Sequence, residues 1–112
     1  MAINKSIPLR SLGKTDIKVT PIGLGAMELS GGGSFLGMVF PVISPETKNA
    51  IIKAALDGGI NWFDTAEAYG DGASEKALSL ALQKAGKKPG EVLMATKWMP
   101  LFRFASNIPK TI

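Results

Sequence analysis

Ala54-Ala55-Leu56-Asp57-Gly58-Gly59-Ile60-Asn61-Trp62-Phe63-Asp64-Thr65-Ala66-Glu67-Ala68-Tyr69-Gly70 is the stretch on which the fold turns. It begins in the apolar positions of a helix and stops that helix at Gly58-Gly59, since glycine accepts the left-handed backbone that a helix end requires. It then runs directly into an apolar strand, Ile60–Ala66. A strand this apolar suits a parallel sheet, whose strands are buried on both faces. A loop holding Tyr69, Gly70 and Gly72 follows.

The flanks repeat the pattern. Upstream, Ser44 can cap the first helix, Pro45 takes its first position and Glu46 favours the positive end of the dipole. Ala50, Ile51, Ala54 and Ala55 fall on one face at helical spacing. Downstream, Ser74 opens a second helix with Leu78, Ala81, Leu82 and Ala85 as its apolar face and Gly86 as its stop. Pro89-Gly90 then turns the chain into a strand, Glu91–Lys97.

Nearer the N-terminus, Ile7–Leu12 and Ile17–Val19 flank Gly13-Lys14-Thr15-Asp16, which reads as a short hairpin. Pro21 breaks the chain before a brief strand, Ile22–Met27. A loop with Gly31, Gly32 and Gly33 leads to Ile43; its glycines suit either a plain turn or a movable lid, the plain turn being the ordinary case. The order is hairpin, β, α, β, α, β, which implies a parallel sheet covered by helices. Ser106-Asn107-Ile108-Pro109 looks like the capped start of a further helix, so the 112 residues are expected to be a chain cut short.

Composition narrows the chemistry. Hydrophobic residues make up 46% of the chain and charged residues 20%, enough for a core and unlike a disordered protein. With no Cys and no His, a disulfide framework, a Cys or His zinc site, a thiol nucleophile and a Ser-His-Asp arrangement are excluded within these residues. Proton chemistry is left to Tyr, Lys, Asp or Glu. The net charge of +4 comes from scattered lysines; only Lys84, Lys87 and Lys88 gather, at a helix end whose dipole suits cations. No nucleic-acid partner and no metal are expected. Met1–Arg10 lacks the apolar core of an export signal, and the apolar run Phe35–Ile43 is too short to span a bilayer. A soluble, cytoplasmic protein is expected.

Two phosphate-loop motifs begin and fail. Gly23-Leu24-Gly25 starts like a dinucleotide fingerprint, but its sixth position is Glu28. Gly13-Lys14-Thr15 ends like a P-loop, but the leading glycine would fall on Pro8.

Asp64, Tyr69 and Lys97 are the informative set. Asp64 ends one strand after Trp62 and Phe63, and a carboxylate there is unusual unless paired or functional. Lys97 ends the next strand. Parallel neighbours bring both ends to one face, which in a barrel is the face that carries active sites. Tyr69, on the loop leaving Asp64, can reach the same place, where an ammonium would stabilise its phenolate and let it act as a general acid. By residue type and spacing alone, the three could equally be a turn cap, a packed loop aromatic and a solvated lysine.

Several linked stretches decide between these. Leu12-Gly13-Lys14-Thr15, Lys18-Val19-Thr20-Pro21-Ile22-Gly23-Leu24-Gly25, the quoted Ala54–Gly70 segment, Ser74-Glu75 and Ala95-Thr96-Lys97 occur in order. With them the chain resembles the aldo-keto reductase superfamily over essentially its whole length. The resemblance implies the α/β class and a (β/α)8 TIM barrel, of which residues 1–112 hold the N-terminal hairpin and the first three βα units. It further implies an oxidoreductase that moves hydride from NADPH to an aldehyde or ketone, a small-molecule carbonyl substrate.

In that resemblance Tyr69 donates the proton, Lys97 tunes it and Asp64 holds Lys97. The family's fourth residue, a His, would lie beyond the next strand. Cofactor contacts carried over are Gly25, Ala26, Met27 and Asp64, with NADP as the cofactor. Trp98 either walls the substrate pocket or simply packs. Short of a full barrel of roughly 200 residues or more, an open sheet leaves unpaired edges. The chain alone is then expected to be inactive and to self-associate, to be poorly soluble, or to belong to a larger barrel. The alternative is a non-catalytic barrel remnant or an oligomerising binding module.

Overall fold

The computed structural model describes residues 7–30 and 42–98. The glycine loop at 31–33, most of the apolar run from Phe35 and the helix start at Ser106 lie outside the described residues.

Hairpin strands β1 (Arg10–Ser11) and β2 (Lys18–Val19) pair antiparallel, Arg10 opposite Val19. The turn between them is closed by Thr15, whose hydroxyl donates to the Leu12 carbonyl at 2.6 Å. Three further strands, β3 (Leu24–Gly25), β4 (Trp62–Asp64) and β5 (Leu93–Ala95), form a parallel sheet in the order β3-β4-β5. Between them run α1 (Pro45–Asp57) and α2 (Ala73–Lys84). No helix among the described residues is long and apolar enough to cross a membrane.

Two registers organise the sheet. Leu24, Phe63 and Met94 stand in one cross-strand row, and Gly25, Asp64 and Ala95 in the next. Side chains alternate along a strand, so these rows face opposite ways. Phe63, 0% exposed, points at the helices and centres a core of Ala26, Leu29, Ile52, Leu78, Ala81 and Leu82. Asp64 points the other way, with Trp62 two residues before it. Trp62 lies across β3: its indole N–H donates to the Thr20 carbonyl at 2.9 Å, and a Cβ on Gly23 would collide with its ring. That row therefore needs glycine opposite the tryptophan.

Asn61 secures the hairpin to the sheet. Its side-chain oxygen accepts from the Thr20 N–H and its amide donates to the Lys18 carbonyl, both at 2.9 Å.

Three local expectations change. The strand from Ile22 stops at Gly25, and Met27–Ser30 curls into a 3-10 turn. There the Leu29 N–H bonds the Ala26 carbonyl, which buries Leu29 and Ser30. On α1, Ser44 does cap, accepting from the Thr47 N–H, but the buried face is Ile52 with Ala55 and Leu56, while Ile51 is 37% exposed. Two apolar stripes overlap on this helix, and the one with bulky residues four apart, Ile52 and Leu56, buries more area. On α2, the cap position is Gly72, and Ser74 lies inside the first turn, fully buried. Its apolar face, Leu78, Ala81 and Leu82, packs as expected, whereas Ala85 is exposed.

Candidate active site

The C-terminal ends of β4 and β5 bring a lysine and a carboxylate together. Beyond β4, the Thr65 N–H donates to the Ala95 carbonyl at 2.8 Å, and the Glu67 N–H donates to the Lys97 carbonyl at 3.0 Å. These bonds continue the ladder past the strands and fix the Lys97 backbone beside the segment leaving Asp64. From there the Lys97 ammonium reaches the Asp64 carboxylate at 2.9 Å and the Thr65 carbonyl at 2.7 Å.

Tyr69 stands on the turn between β4 and α2. Its N–H donates to the Ala66 carbonyl and its carbonyl accepts from the Ser74 N–H, each at 3.1 Å. Held at both sides, the ring lies with its centroid 5.4 Å from the Lys97 nitrogen, within range of a cation–π attraction. Gly70 makes this turn possible: it has φ +73°, and a Cβ there would strike the Ser30 carbonyl oxygen. The three residues picked from the sequence thus form one cluster at the mouth of the sheet.

Electrostatics favour the charged lysine. Its hydrogen bond to Asp64 holds the ammonium above the ordinary value of 10.5; desolvation opposes this, and the Asp64 charge and Tyr69 add to it. The side chains of Lys97 and Asp64 are 53% and 41% exposed, so the pair adds little to stability. Because the folded state binds this proton more tightly than the unfolded chain, the contribution is complete below about 10.5. It is lost as pH rises through the higher folded value. Wild type should therefore lose stability relative to Asp64→Asn only on the alkaline side. Denaturant unfolding across that range checks this; a difference between the two that stays constant with pH would contradict it.

The other expected contacts divide. Gly25 ends β3 beside Asp64, and among the described residues nothing fills the space where its side chain would stand. Met27 is half-buried on the following turn. Ala26 is 0% exposed; its N–H is given to the Asp64 carbonyl and its carbonyl is taken by Ser74 and Leu29. Trp98 follows Lys97 and is 70% exposed. Sequence reading missed the Thr65 carbonyl, because a backbone acceptor leaves no mark in residue type. It also took Ser74 for a helix opener.

An apolar parallel sheet with helices on one side and Asp, Lys and Tyr collected at its strand ends is the arrangement of a (β/α)-barrel enzyme site. The family model of the aldo/keto reductase family matches residues 21–111, and the chain belongs to that family. An aldo-keto reductase of Bacillus subtilis is 41% identical over 103 residues, 87% of this chain and 29% of the relative. L-galactose dehydrogenase of Arabidopsis thaliana is 37% identical over 91 residues, 81% of this chain and 26% of the relative. Among solved structures, the holo form of an aldo-keto reductase from Bacillus halodurans superposes with a TM-score of 0.64 at 28% identity. That match covers 82% of this chain and 26% of the other. The chain thus spans between a quarter and a third of the length of these relatives, and its elements are those of the N-terminal part of their TIM barrel.

Proposed function

We propose that residues 1–112 form part of an NADPH-dependent oxidoreductase barrel that reduces an aldehyde or ketone. The observation that carries this reading is the Lys97 ammonium, set 2.9 Å from Asp64 and 5.4 Å from the Tyr69 ring centroid. Tyr69 gives its phenolic proton to the carbonyl oxygen as charge develops there. Lys97, kept protonated by Asp64, stabilises the phenolate left behind. Carboxylate, ammonium and phenol make a relay that needs no Cys or His from this segment.

The residues present suit a nicotinamide. Gly25 adds no side chain beside Asp64 at the strand ends, and among the described residues nothing lies within 4 Å of where its Cβ would stand, which suits the approach of a flat ring. Gly25, Met27 and Asp64 would hold it, and when bound it supplies the hydride. Trp98, exposed next to Lys97, would limit the substrate on one side.

Carbonyl-dependent NADPH oxidation by the polypeptide that completes the barrel tests the reading. Turnover with a reactive aldehyde is expected there and is not expected from the 112 residues alone, which contain no His. Tight nicotinamide binding without turnover on any aldehyde or ketone would instead favour a non-catalytic binding module.

A further inference from the structure

Behind the cluster lies a buried pair of hydroxyls that the relay does not use. Thr65 and Ser74 are each 0% exposed, and their side-chain oxygens stand 2.8 Å apart. Ser74 has one hydroxyl proton, and the Ala26 carbonyl takes it at 2.6 Å. The shared proton of the pair must therefore come from Thr65. The resulting chain runs from the Thr65 hydroxyl to the Ser74 hydroxyl to the Ala26 carbonyl, and the Ala26 N–H returns to the Asp64 carbonyl at 2.8 Å. It closes a ring through the ends of β3, β4 and α2.

Lys97 and Tyr69 are both bonded to members of this ring. Lys97 is a long, half-exposed side chain, and such a chain loses substantial rotamer entropy when fixed. One of its two anchors is the carbonyl of Thr65, a residue held through its side chain by the Ser74 hydroxyl and through its N–H by the Ala95 carbonyl. Tyr69 is held by the N–H of the same Ser74. Simple packing at this spot would be served as well by Val and Ala. Two buried hydroxyls are costly to place unless both are satisfied, and here both are.

We infer that Thr65 and Ser74 are positioning residues whose paired hydroxyls aim the Thr65 carbonyl at Lys97 and so hold the ammonium beside Asp64 and Tyr69. The inference rests on the reading of Lys97 as partner of the proton donor, but it can be tested without turnover. Competitive acylation of lysine amines, read residue by residue by mass spectrometry, reports how tightly each ammonium is held.

Lys97 should react several-fold more slowly than Lys88 in the wild type. Thr65→Val, which keeps the shape and deletes the hydroxyl, should raise Lys97 reactivity several-fold. Thr65→Ser should restore the wild-type value. Loss of stability in Thr65→Val with Lys97 reactivity unchanged would reduce the pair to a structural role and overturn the inference.

If Thr65→Val does not fold, the wild type decides the matter. Slowly exchanging hydroxyl protons on Thr65 and Ser74, together with slow acylation of Lys97, support the inference. Hydroxyls in fast exchange, or Lys97 reacting like Lys88, overturn it. Absence of carbonyl reduction, by contrast, would remove the proposed function and leave this test unaffected.

Discussion

Tyr69→Phe is expected to lower carbonyl-dependent cofactor oxidation by ~10²–10⁴-fold, the usual contribution of a positioned general acid. The substitution removes one oxygen and keeps the ring. Tyr69 is tied into the fold by its backbone, through Ala66 and Ser74, so the turn should stand and the melting temperature should hold. The loss should fall on kcat, because the phenolic proton moves only as the transition state is reached. Lys97→Met should show a comparable loss, since it leaves the phenolate without its counter-charge. Asp64→Asn should lose less, because Lys97 keeps its bond to the Thr65 carbonyl at 2.7 Å. Steady-state kinetics on the completed barrel, with cofactor affinity measured separately, decide the outcome. A Tyr69→Phe protein with unchanged kcat would assign proton donation to another group.

Much of the arrangement was legible because the strands announce themselves. Apolar runs between glycine and proline punctuation placed β4 and β5, and the alternation of strands with helices implied parallel pairing. Once β4 and β5 are parallel neighbours, Asp64 and Lys97 must share an edge, and Tyr69 has only five residues of chain in which to leave it. What escaped the sequence depended on tertiary choice. Ile51 and Ile52 are equally apolar, and Ile52 is the one buried because it shares its stripe with Leu56 against the core. Ala26 follows Gly25, and the alternation that turns Gly25 toward Asp64 turns Ala26 toward the core, where the 3-10 turn takes up its carbonyl. Ser74 has the right residue type for a cap, but the chain bends one turn earlier, at Gly70, and carries the hydroxyl into the interior. There it finds Thr65 and Ala26.

The largest effect on stability is expected from Phe63→Ala. Phe63 lies on the central strand, is fully buried, and belongs to the cluster that joins Ile52 of α1 to Leu78 and Leu82 of α2. Truncation there removes the transfer energy of the ring and leaves a cavity, at a cost of ~3–5 kcal/mol. A folded domain holds only about 5–15 kcal/mol in total, so this single change consumes a large part of its margin. Leu80→Ala makes the control: Leu80 lies on the same α2 but is 54% exposed, and its truncation should shift stability by no more than about 0.5 kcal/mol. The damage from Phe63 should also reach the site, because Asp64 and Thr65 are the next two residues and take their position from the row that Phe63 fixes. Urea unfolding of the two variants provides the measurement. A Phe63→Ala protein with the same midpoint as Leu80→Ala would mean that the helices pack against some other part of the sheet.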